Sequence, residues 1–308
     1  MFNGRHFKNP QLKLEIIDWF EYSAIIKLKI FIYYMNIIYK NKKPTKENND
    51  LNNKMEIAIK KNEKYFTNYL KEKKSDIYEY KKFFKEGYLK TSINNDYKKI
   101  ILDDIESKKF IFSYQGTSMY IPSPNVKEII YKLINDSIYQ NVLNELYNGK
   151  WHIGTILVHD STQKCDLFDT ILNTHINFCH VDTSDPQSVK IMYYLTDNVN
   201  IENGCFQVVP ESHKYNNNKE DWIIRKSVKD LGLAHSNKIY ELNENYQKSH
   251  VFMYDYNEND EYYKEIEKNL VKLESPFNFI LFDPNIIHTG GYVYNGTRKA
   301  LQIVIRKG

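Results

Sequence analysis

The chain has 308 residues, of which 42% are hydrophobic and 15% aromatic, so it has the apolar material for a folded core and is not a disordered chain. Its 43 basic and 39 acidic residues are well mixed, which excludes the basic stripe of a nucleic-acid-binding protein. Cys165, Cys179 and Cys205 form no CxxC pair, so neither a disulfide framework nor a structural zinc site is expected. No signal peptide is recognisable in residues 1–10, and we expect a reducing, cytoplasmic location.

The N-terminal segment, residues 1–80, predicts a helical extension without recognisable chemistry. Residues 11–40 have apolar positions near helical spacing, and two interpretations remain for this helix. We favour packing on the main domain or on a partner subunit over an interfacial helix on a membrane surface. Its longest uncharged run, Ile30 to Tyr39, is too short to span a bilayer. The polar residues 46–54 predict a linker, and residues 55–72 a second, charged amphipathic helix.

The remainder, residues 81–308, predicts one domain that begins with helices and continues with short strands. A ridge of apolar residues at every fourth position predicts one long helix over residues 126–147. Strands are predicted at 151–159, 174–182, 189–196, 205–209, 251–255, 277–283 and 299–306. Residues 214–270 interrupt this series as an insertion that is placed where a lid could close. The pattern indicates a mainly β, α+β fold, a barrel or sandwich with helices covering one sheet.

The tripeptide His180-Val-Asp182 is the first candidate for chemistry. Two residues apart on an extended segment, the imidazole and the carboxylate project to the same side. A histidine from elsewhere in the chain would complete a two-histidine, one-carboxylate face, which suits iron(II) with open coordination positions. By itself the tripeptide is weak evidence, because such matches occur by chance.

Two further candidates follow near the end of the chain. His288 comes shortly after the apolar strand that starts at Phe279, and Arg298 opens the final strand ten residues later. Both faces of that strand are apolar or small, as expected where one face meets helices and the other lines a cavity. A guanidinium in such a cavity needs an anion, and a carboxylate is its natural partner. Asp283 or Glu274 could serve as that carboxylate, and the final strand also offers Arg306, a rival anion-binding residue.

Together these segments resemble the phytanoyl-CoA dioxygenase family of iron(II)- and 2-oxoglutarate-dependent oxygenases. Phe84-Lys-Glu-Gly87-Tyr88-Leu is similar to the opening helix and strand of the family. His180-Val-Asp182 matches its HxD motif, and Asn203-Gly204 followed by Pro210-Glu-Ser212-His213 is similar to its Asn-Gly and Pro-Gly-Ser-His segment. His288 and Arg298 match its distal histidine and its co-substrate arginine. The four pieces occur in the order of the family and span residues 83–306.

The resemblance implies a double-stranded β-helix, or cupin-like jelly-roll, core. It implies that His180, Asp182 and His288 hold Fe(II), and that Arg298 binds the far carboxylate of 2-oxoglutarate. Asn177 and Tyr193 occupy positions that line the co-substrate pocket in this family. The implied reaction is hydroxylation of a C–H bond in a small-molecule substrate, with O2 as the second co-substrate and release of succinate and CO2.

One departure, one residue that separates the chain from halogenating relatives, and two alternatives accompany this interpretation. Glu211 stands where the family has glycine, which predicts an altered turn, whereas Asp182 separates the chain from halogenating relatives that have Ala or Gly there. One alternative is a non-catalytic relative that uses residues 1–80 as an interaction surface. The other is a metal-dependent isomerase or hydrolase on a cupin-like scaffold, which would have no need of Arg298.

Overall fold

The computed structural model describes residues 47–69, 75–93, 96–108, 117–162, 182, 188–213, 268–291 and 293–308, with Ile266 and parts of 220–246. Its helices are α1 (Asn49–Tyr69), α2 (Tyr78–Glu86), α3 (Lys98–Glu106), α4 (Pro124–Asn135) and α5 (Tyr139–Tyr147). Its strands are β1 (Tyr88–Thr91), β2 (Thr117–Met119), β3 (Trp151–Thr162), β4 (Val189–Tyr194), β5 (Phe206–Val208), β6 (Val271–Leu273), β7 (Phe279–Phe282), β8 (His288–Thr289) and β9 (Thr297–Lys307). The predicted helix at 11–40 and the predicted strand at 251–255 lie outside these residues.

The strands form two antiparallel sheets. The larger sheet has the order β1-β7-β4-β9-β3-β2, and the smaller one has the order β6-β5-β8. The long strand β9 runs between β3 and β4, and β7 leads into β8 through a short loop that crosses from one sheet to the other.

The two faces of the larger sheet have different neighbours because side chains alternate along each strand. On the outer face, Tyr193, Leu301 and Ile303 belong to a buried core that includes residues of α2, α4 and α5. On the inner face, Met192 and Tyr194 join a second buried core with residues of the smaller sheet. The prediction of an α+β, double-stranded β-helix architecture with helices covering one sheet is confirmed.

The predicted single helix at 126–147 is two helices, so that prediction was wrong. Ser137 lies between them, and its hydroxyl donates to the carbonyl oxygen of Ile134 at 2.7 Å and accepts from the backbone N–H of Tyr139 at 3.2 Å. The side chain therefore satisfies a backbone group of α4 and another of α5. Ile138, part of the predicted apolar ridge, is consequently in the break and is 39% exposed.

Helix α1 begins earlier than the predicted helix, inside the segment that we expected to be a linker. Asn48 supplies the N-terminal cap, because its side-chain oxygen accepts from the backbone N–H of Leu51 at 3.2 Å. Asp50 in the first turn forms an ion pair with Lys54, with 2.6 Å between Asp50 Oδ2 and Lys54 Nζ. These local contacts explain why a helix begins in a segment whose polar composition suggested a linker.

A third core joins α1 to the insertion. Met55 of α1 packs with Ile224, Val228, Leu233 and Leu242. Asn62 is buried in the same contact, where it donates to the hydroxyl of Ser227 at 3.0 Å. Within the described parts of the chain, no helix is long and apolar enough to cross a membrane.

Candidate metal and co-substrate site

Asp182 and His288 come together between the two sheets. The backbone N–H of Asp182 donates to the carbonyl oxygen of Pro284 at 2.8 Å, which fixes Asp182 beside the loop between β7 and β8. His288 lies at the start of β8, opposite Val208 of β5. The Asp182 Oδ2 and His288 Nε2 atoms are 3.4 Å apart. The fold therefore brings these two predicted ligands to one point.

The orientation of His288 suits a metal ligand. Its Nδ1 donates to the carbonyl oxygen of Ile286 at 2.8 Å, so Nε2 presents a lone pair to Asp182. Aromatic rings of Phe206 and Phe282 lie 5.4 and 5.2 Å from the imidazole and hold it in place. Two electron-pair donors that face each other are an arrangement that a divalent cation stabilises, so this pair fits iron.

The third predicted ligand, His180, lies outside the described residues, as does Asn177. Within the part of the chain that the structure describes, no third His, Cys, Asp or Glu joins Asp182 and His288 as a potential metal ligand.

Lys190 is a member of the site that the sequence interpretation missed. It lies on β4 with the same parity as Met192 and Tyr194, and its Nζ is 2.7 Å from Asp182 Oδ2. Its side chain is 9% exposed. The available signal was a lysine in an otherwise apolar and aromatic strand, Val189–Tyr194, at a position that faces the smaller sheet.

Arg298 is buried at the other end of the inner face. Its guanidinium donates to the carbonyl oxygen of Gly204 and, at 3.1 Å, to the hydroxyl of Ser161. The two carboxylates considered as partners have other roles. Asp283 accepts from Asn285 at 2.8 Å, and Glu274 accepts from the backbone N–H of Ile201 at 2.9 Å.

Among the described residues, no carboxylate forms an ion pair with Arg298. A buried guanidinium in this state is suited to receive an anionic ligand. The rival arginine, Arg306, is exposed near the far end of β9 and lies over Gly154 of β3.

Gly204 gives Arg298 its close backbone partner. At a φ of +82°, Gly204 has a conformation that side chains rarely adopt, and a Cβ there would lie 3.1 Å from the Arg298 guanidinium and 2.9 Å from Val293. Gly291 packs against the same turn, where a Cβ would lie 2.2 Å from the carbonyl oxygen of Cys205. Both positions require glycine, and the Asn203-Gly204 motif thus serves to place the arginine.

The inner face also carries a buried neutral histidine. His159 of β3 bonds Gln302 through Nε2 at 2.8 Å and Thr117 through Nδ1 at 3.1 Å. Burial first, and then the positive charges of Arg298 and Lys190, lower its pKa to about 4. His159 is therefore uncharged at neutral pH and adds no further positive charge to the site.

The order and geometry of these residues agree with a direct sequence match. The sequence pattern of the phytanoyl-CoA dioxygenase (PhyH) family matches residues 136–300, which is more than half of the chain. The chain belongs to the phytanoyl-CoA dioxygenase family. None of the curated proteins matches the chain in sequence.

Several solved structures are similar to the chain in fold. One is the non-heme α-ketoglutarate-dependent carbocyclase SnoK from nogalamycin biosynthesis, with 11% identity, a TM-score of 0.46 and coverage of 74% of this chain and 82% of that chain. HygX from Streptomyces hygroscopicus with nickel and 2-oxoglutarate bound has 12% identity and a TM-score of 0.43, over 73% and 84% of the two chains. EctD from S. alaskensis with 2-oxoglutarate and 5-hydroxyectoine has 13% identity and a TM-score of 0.44, over 77% and 79%.

The Pro-x-Ser-His segment of this phytanoyl-CoA dioxygenase relative is a structural turn. The hydroxyl of Ser212 donates to the carbonyl oxygen of Val209 at 2.7 Å and accepts from the backbone N–H of Ile287 at 2.8 Å. His213 donates through Nε2 to the carbonyl oxygen of Phe84 at 2.9 Å. The turn therefore ties α2 and the residue before His288 to β5.

Glu211, at the position of the family's glycine, adopts a φ of +67° within this turn. The backbone thus keeps a conformation that glycine adopts freely, and the glutamate bears a strain of roughly 1–2 kcal/mol. That this departure alters the turn of the family stays a prediction.

Tyr193, which the family resemblance predicts to line the co-substrate pocket, lies on the opposite face of β4 from Met192 and Tyr194. It belongs to the outer core, where its ring contacts Phe279 edge-on at 5.5 Å. Burial, and then the charge of Asp197, raise the pKa of its hydroxyl to about 12. Met192 and Tyr194, one residue to either side, face the inter-sheet space instead. The alternation of β4 explains the difference.

Proposed function

We propose that the protein is an Fe(II)- and 2-oxoglutarate-dependent dioxygenase that hydroxylates a C–H bond of a small organic molecule, with release of succinate and CO2. One observation carries the proposal. Asp182 Oδ2 and His288 Nε2 converge between the sheets, and the same inner face carries the buried Arg298, for which the described residues provide no carboxylate. A metal completes the Asp182–His288 pair, and a dicarboxylate supplies the anion for Arg298.

In this proposal His180, Asp182 and His288 hold the metal. The backbone bond from Asp182 to Pro284 and the bond from His288 to Ile286 fix the two described ligands before the metal binds. When bound, iron(II) activates O2 together with 2-oxoglutarate. Because Asp182 occupies the position that halogenating relatives leave open for halide, hydroxylation is favoured.

Arg298 binds the far carboxylate of 2-oxoglutarate, and Asn177 is proposed to line the same pocket. The bonds from Arg298 to Gly204 and Ser161 orient the guanidinium in advance, which reduces the entropy lost on binding. The rings of Phe206 and Phe282 make the metal side of the pocket apolar. This limits access of water to the reacting groups.

The test is anaerobic addition of Fe(II) and 2-oxoglutarate to the full chain, with the visible metal-to-ligand charge-transfer band as the readout. We expect the band in the wild type and its loss in Asp182→Ala. On admission of O2, succinate should form. The control variant Arg306→Met, which changes an exposed arginine on the same strand as Arg298, should keep the band.

The outcomes separate this function from the two alternatives. A metal-dependent isomerase or hydrolase would bind metal but give no band and no succinate. A non-catalytic relative would bind neither metal nor 2-oxoglutarate. Either result in folded protein contradicts the proposed function.

A further inference from the structure

Lys190 is a buried cation that the proposed ligand set leaves unexplained. Its Nζ lies 2.7 Å from Asp182 Oδ2, the same oxygen atom that lies 3.4 Å from His288 Nε2. Among the described residues, no other carboxylate lies within ion-pair distance of this lysine. Burial of an ammonium group is costly unless its charge is compensated, so the compensation depends on Asp182.

Metal binding changes this balance, and here the inference rests on the proposed function. A divalent metal held by Asp182 uses the same carboxylate, and its positive charge repels the ammonium group of Lys190. The lysine then needs another anion beside the metal. The backbone of the lysine is fixed, because β4 pairs on both sides and Lys190 lies between Phe282 of β7 and Val304 of β9.

The inner face carries a second buried cation, Arg298, with no carboxylate partner among the described residues. His159 of the same face interacts electrostatically with both cations, because the positive charges of Arg298 and Lys190 each lower its pKa. The inner face therefore carries two buried positive groups, and the imidazole that interacts with both stays neutral. A dianion with a carboxylate at each end matches this arrangement.

We propose that Lys190 is a second positioning residue for the co-substrate, and that it binds the C1 carboxylate of 2-oxoglutarate at the metal while Arg298 binds the distal carboxylate. In the structure, Lys190 pairs with Asp182. In the complex with metal and 2-oxoglutarate, the C1 carboxylate takes the place of Asp182 as the partner of the ammonium group.

This role makes Lys190 a coupling element between metal and co-substrate. It opposes the binding of metal alone, because the metal competes with it for Asp182. It favours the binding of 2-oxoglutarate once the metal is present, through a charge-assisted hydrogen bond. Replacing Lys190 by methionine should therefore tighten metal binding about tenfold and weaken 2-oxoglutarate binding about tenfold.

The experiment uses the full chain with Mn(II) as a redox-stable substitute for iron, and isothermal titration calorimetry as the readout. Mn(II) is titrated into the metal-free protein, and 2-oxoglutarate or oxalate into the Mn(II)-saturated protein. Oxalate carries the metal-binding end of the co-substrate and lacks the distal carboxylate. Lys190→Met should weaken the binding of both anions. Arg298→Met should weaken the binding of 2-oxoglutarate and leave the oxalate affinity within about twofold of the wild type.

Three further variants keep the result interpretable. Lys190→Arg retains the positive charge and should restore most of the oxalate affinity. Lys299→Met removes a lysine that pairs with Asp160 at 3.5 Å. The affinities for Mn(II), 2-oxoglutarate and oxalate should stay unchanged in this variant. Lys190→Gln keeps a hydrogen-bond donor near Asp182 without the charge, and it replaces Lys190→Met if that variant does not fold.

The proposal is overturned if Lys190→Met, or Lys190→Gln in its place, binds oxalate and 2-oxoglutarate at saturating Mn(II) within twofold of the wild type. Lys190 would then be a structural partner of Asp182. If the wild type itself binds neither Mn(II) nor 2-oxoglutarate, the proposed function fails and this inference fails with it. Weakened anion binding together with tighter metal binding supports the coupling role.

Discussion

The two faces of the six-stranded sheet have opposite roles although they are built from the same strands. On the outer face, Leu301 and Ile303 of β9 pack against the helices in a continuous apolar core. On the inner face, the same strand carries Arg298 and Gln302, and β4 carries Lys190. A shift of one residue along a strand therefore separates a side chain that stabilises the fold from one that shapes the site.

The comparison shows how the protein tolerates buried charge. Polar groups of the inner face are connected to each other, as in the bonds from Gln302 to His159 and from His159 to Thr117. The outer face needs no such network because it is apolar. Changes on the outer face should thus alter stability without altering ligand affinity, whereas changes at the charged residues of the inner face should alter ligand affinity.

The largest expected effect on stability is from Ile303→Ala on the outer face. Ile303 is fully buried, and loss of its side chain leaves a cavity that should lower the free energy of unfolding by about 3.5 kcal/mol. Urea denaturation measures this change. The affinity of the Mn(II)-loaded variant for 2-oxoglutarate should stay within twofold, and a tenfold loss would contradict the separation of the two faces.

A pH-dependent effect should come from His159 on the inner face. In the unfolded chain this histidine takes up a proton below its ordinary pKa of about 6.5, but in the folded protein it stays neutral until pH 4 or so. Stability should therefore fall as the pH is lowered between these values, by about 3 kcal/mol in total.

Urea denaturation at several pH values tests this contribution, with His159→Gln as the variant. The variant should lose most of this pH dependence. His152→Gln, which changes an exposed histidine of the same strand, is the matched control and should retain it. A pH profile of His159→Gln identical to that of the wild type would show that His159 is protonated in the folded state as readily as in the unfolded chain.

Arg298→Met should remove the distal anchor of the co-substrate. Loss of a charge-assisted, two-point contact is worth about 2.7 kcal/mol, so the dissociation constant of 2-oxoglutarate should rise about 100-fold. Calorimetry on the Mn(II)-saturated protein measures the change, with the exposed Arg306→Met as the control. If Arg298→Met binds 2-oxoglutarate as the wild type does, Arg298 is not the distal anchor.

Glu211→Gly should stabilise the protein by about 1 kcal/mol, because glycine relieves the strain of the positive φ at this turn. The urea concentration at the midpoint of denaturation should rise, and the slope of the free energy of unfolding against urea concentration should not change. Glu202→Gly, in the turn before β5, provides a comparison at a residue without a positive φ, and it should not stabilise the protein. Equal effects of the two substitutions would rule out backbone strain as the cause.

The smallest effect is expected from Tyr193→Phe. The hydroxyl of Tyr193 is buried and has no hydrogen-bond partner among the described residues, so its removal should change stability by less than about 1 kcal/mol, in the stabilising direction. The 2-oxoglutarate affinity should not change. A clear loss of affinity in Tyr193→Phe would return this residue to the co-substrate pocket.

Sequence patterns predicted the parts of the molecule that depend on simple periodicity. The alternation of the last strand was sufficient to place Arg298 on a different face from Leu301 and Ile303, as the structure shows. The ordered motifs were also sufficient to identify the family. The juxtaposition of Asp182 with His288 was expected from that family, while the ligand role of the two residues stays a prediction.

Other features depend on interactions that a motif does not contain. Tyr193 was assigned to the pocket from its position in the family, but a shift of one residue reverses the face of a strand. Lys190 belongs to no motif, and its importance appears only when the fold places it at 2.7 Å from Asp182. The break at Ser137 and the cap at Asn48 likewise arise from single side-chain contacts.

The central claim is that the inner face of the larger sheet holds a metal and, beside it, 2-oxoglutarate. Calorimetric titration of 2-oxoglutarate into the full-length wild type, with and without saturating Mn(II), tests it most directly. We predict one binding site per chain that is at least tenfold weaker without the metal. Binding that is independent of Mn(II), or absent in folded, Mn(II)-saturated protein, would contradict the account.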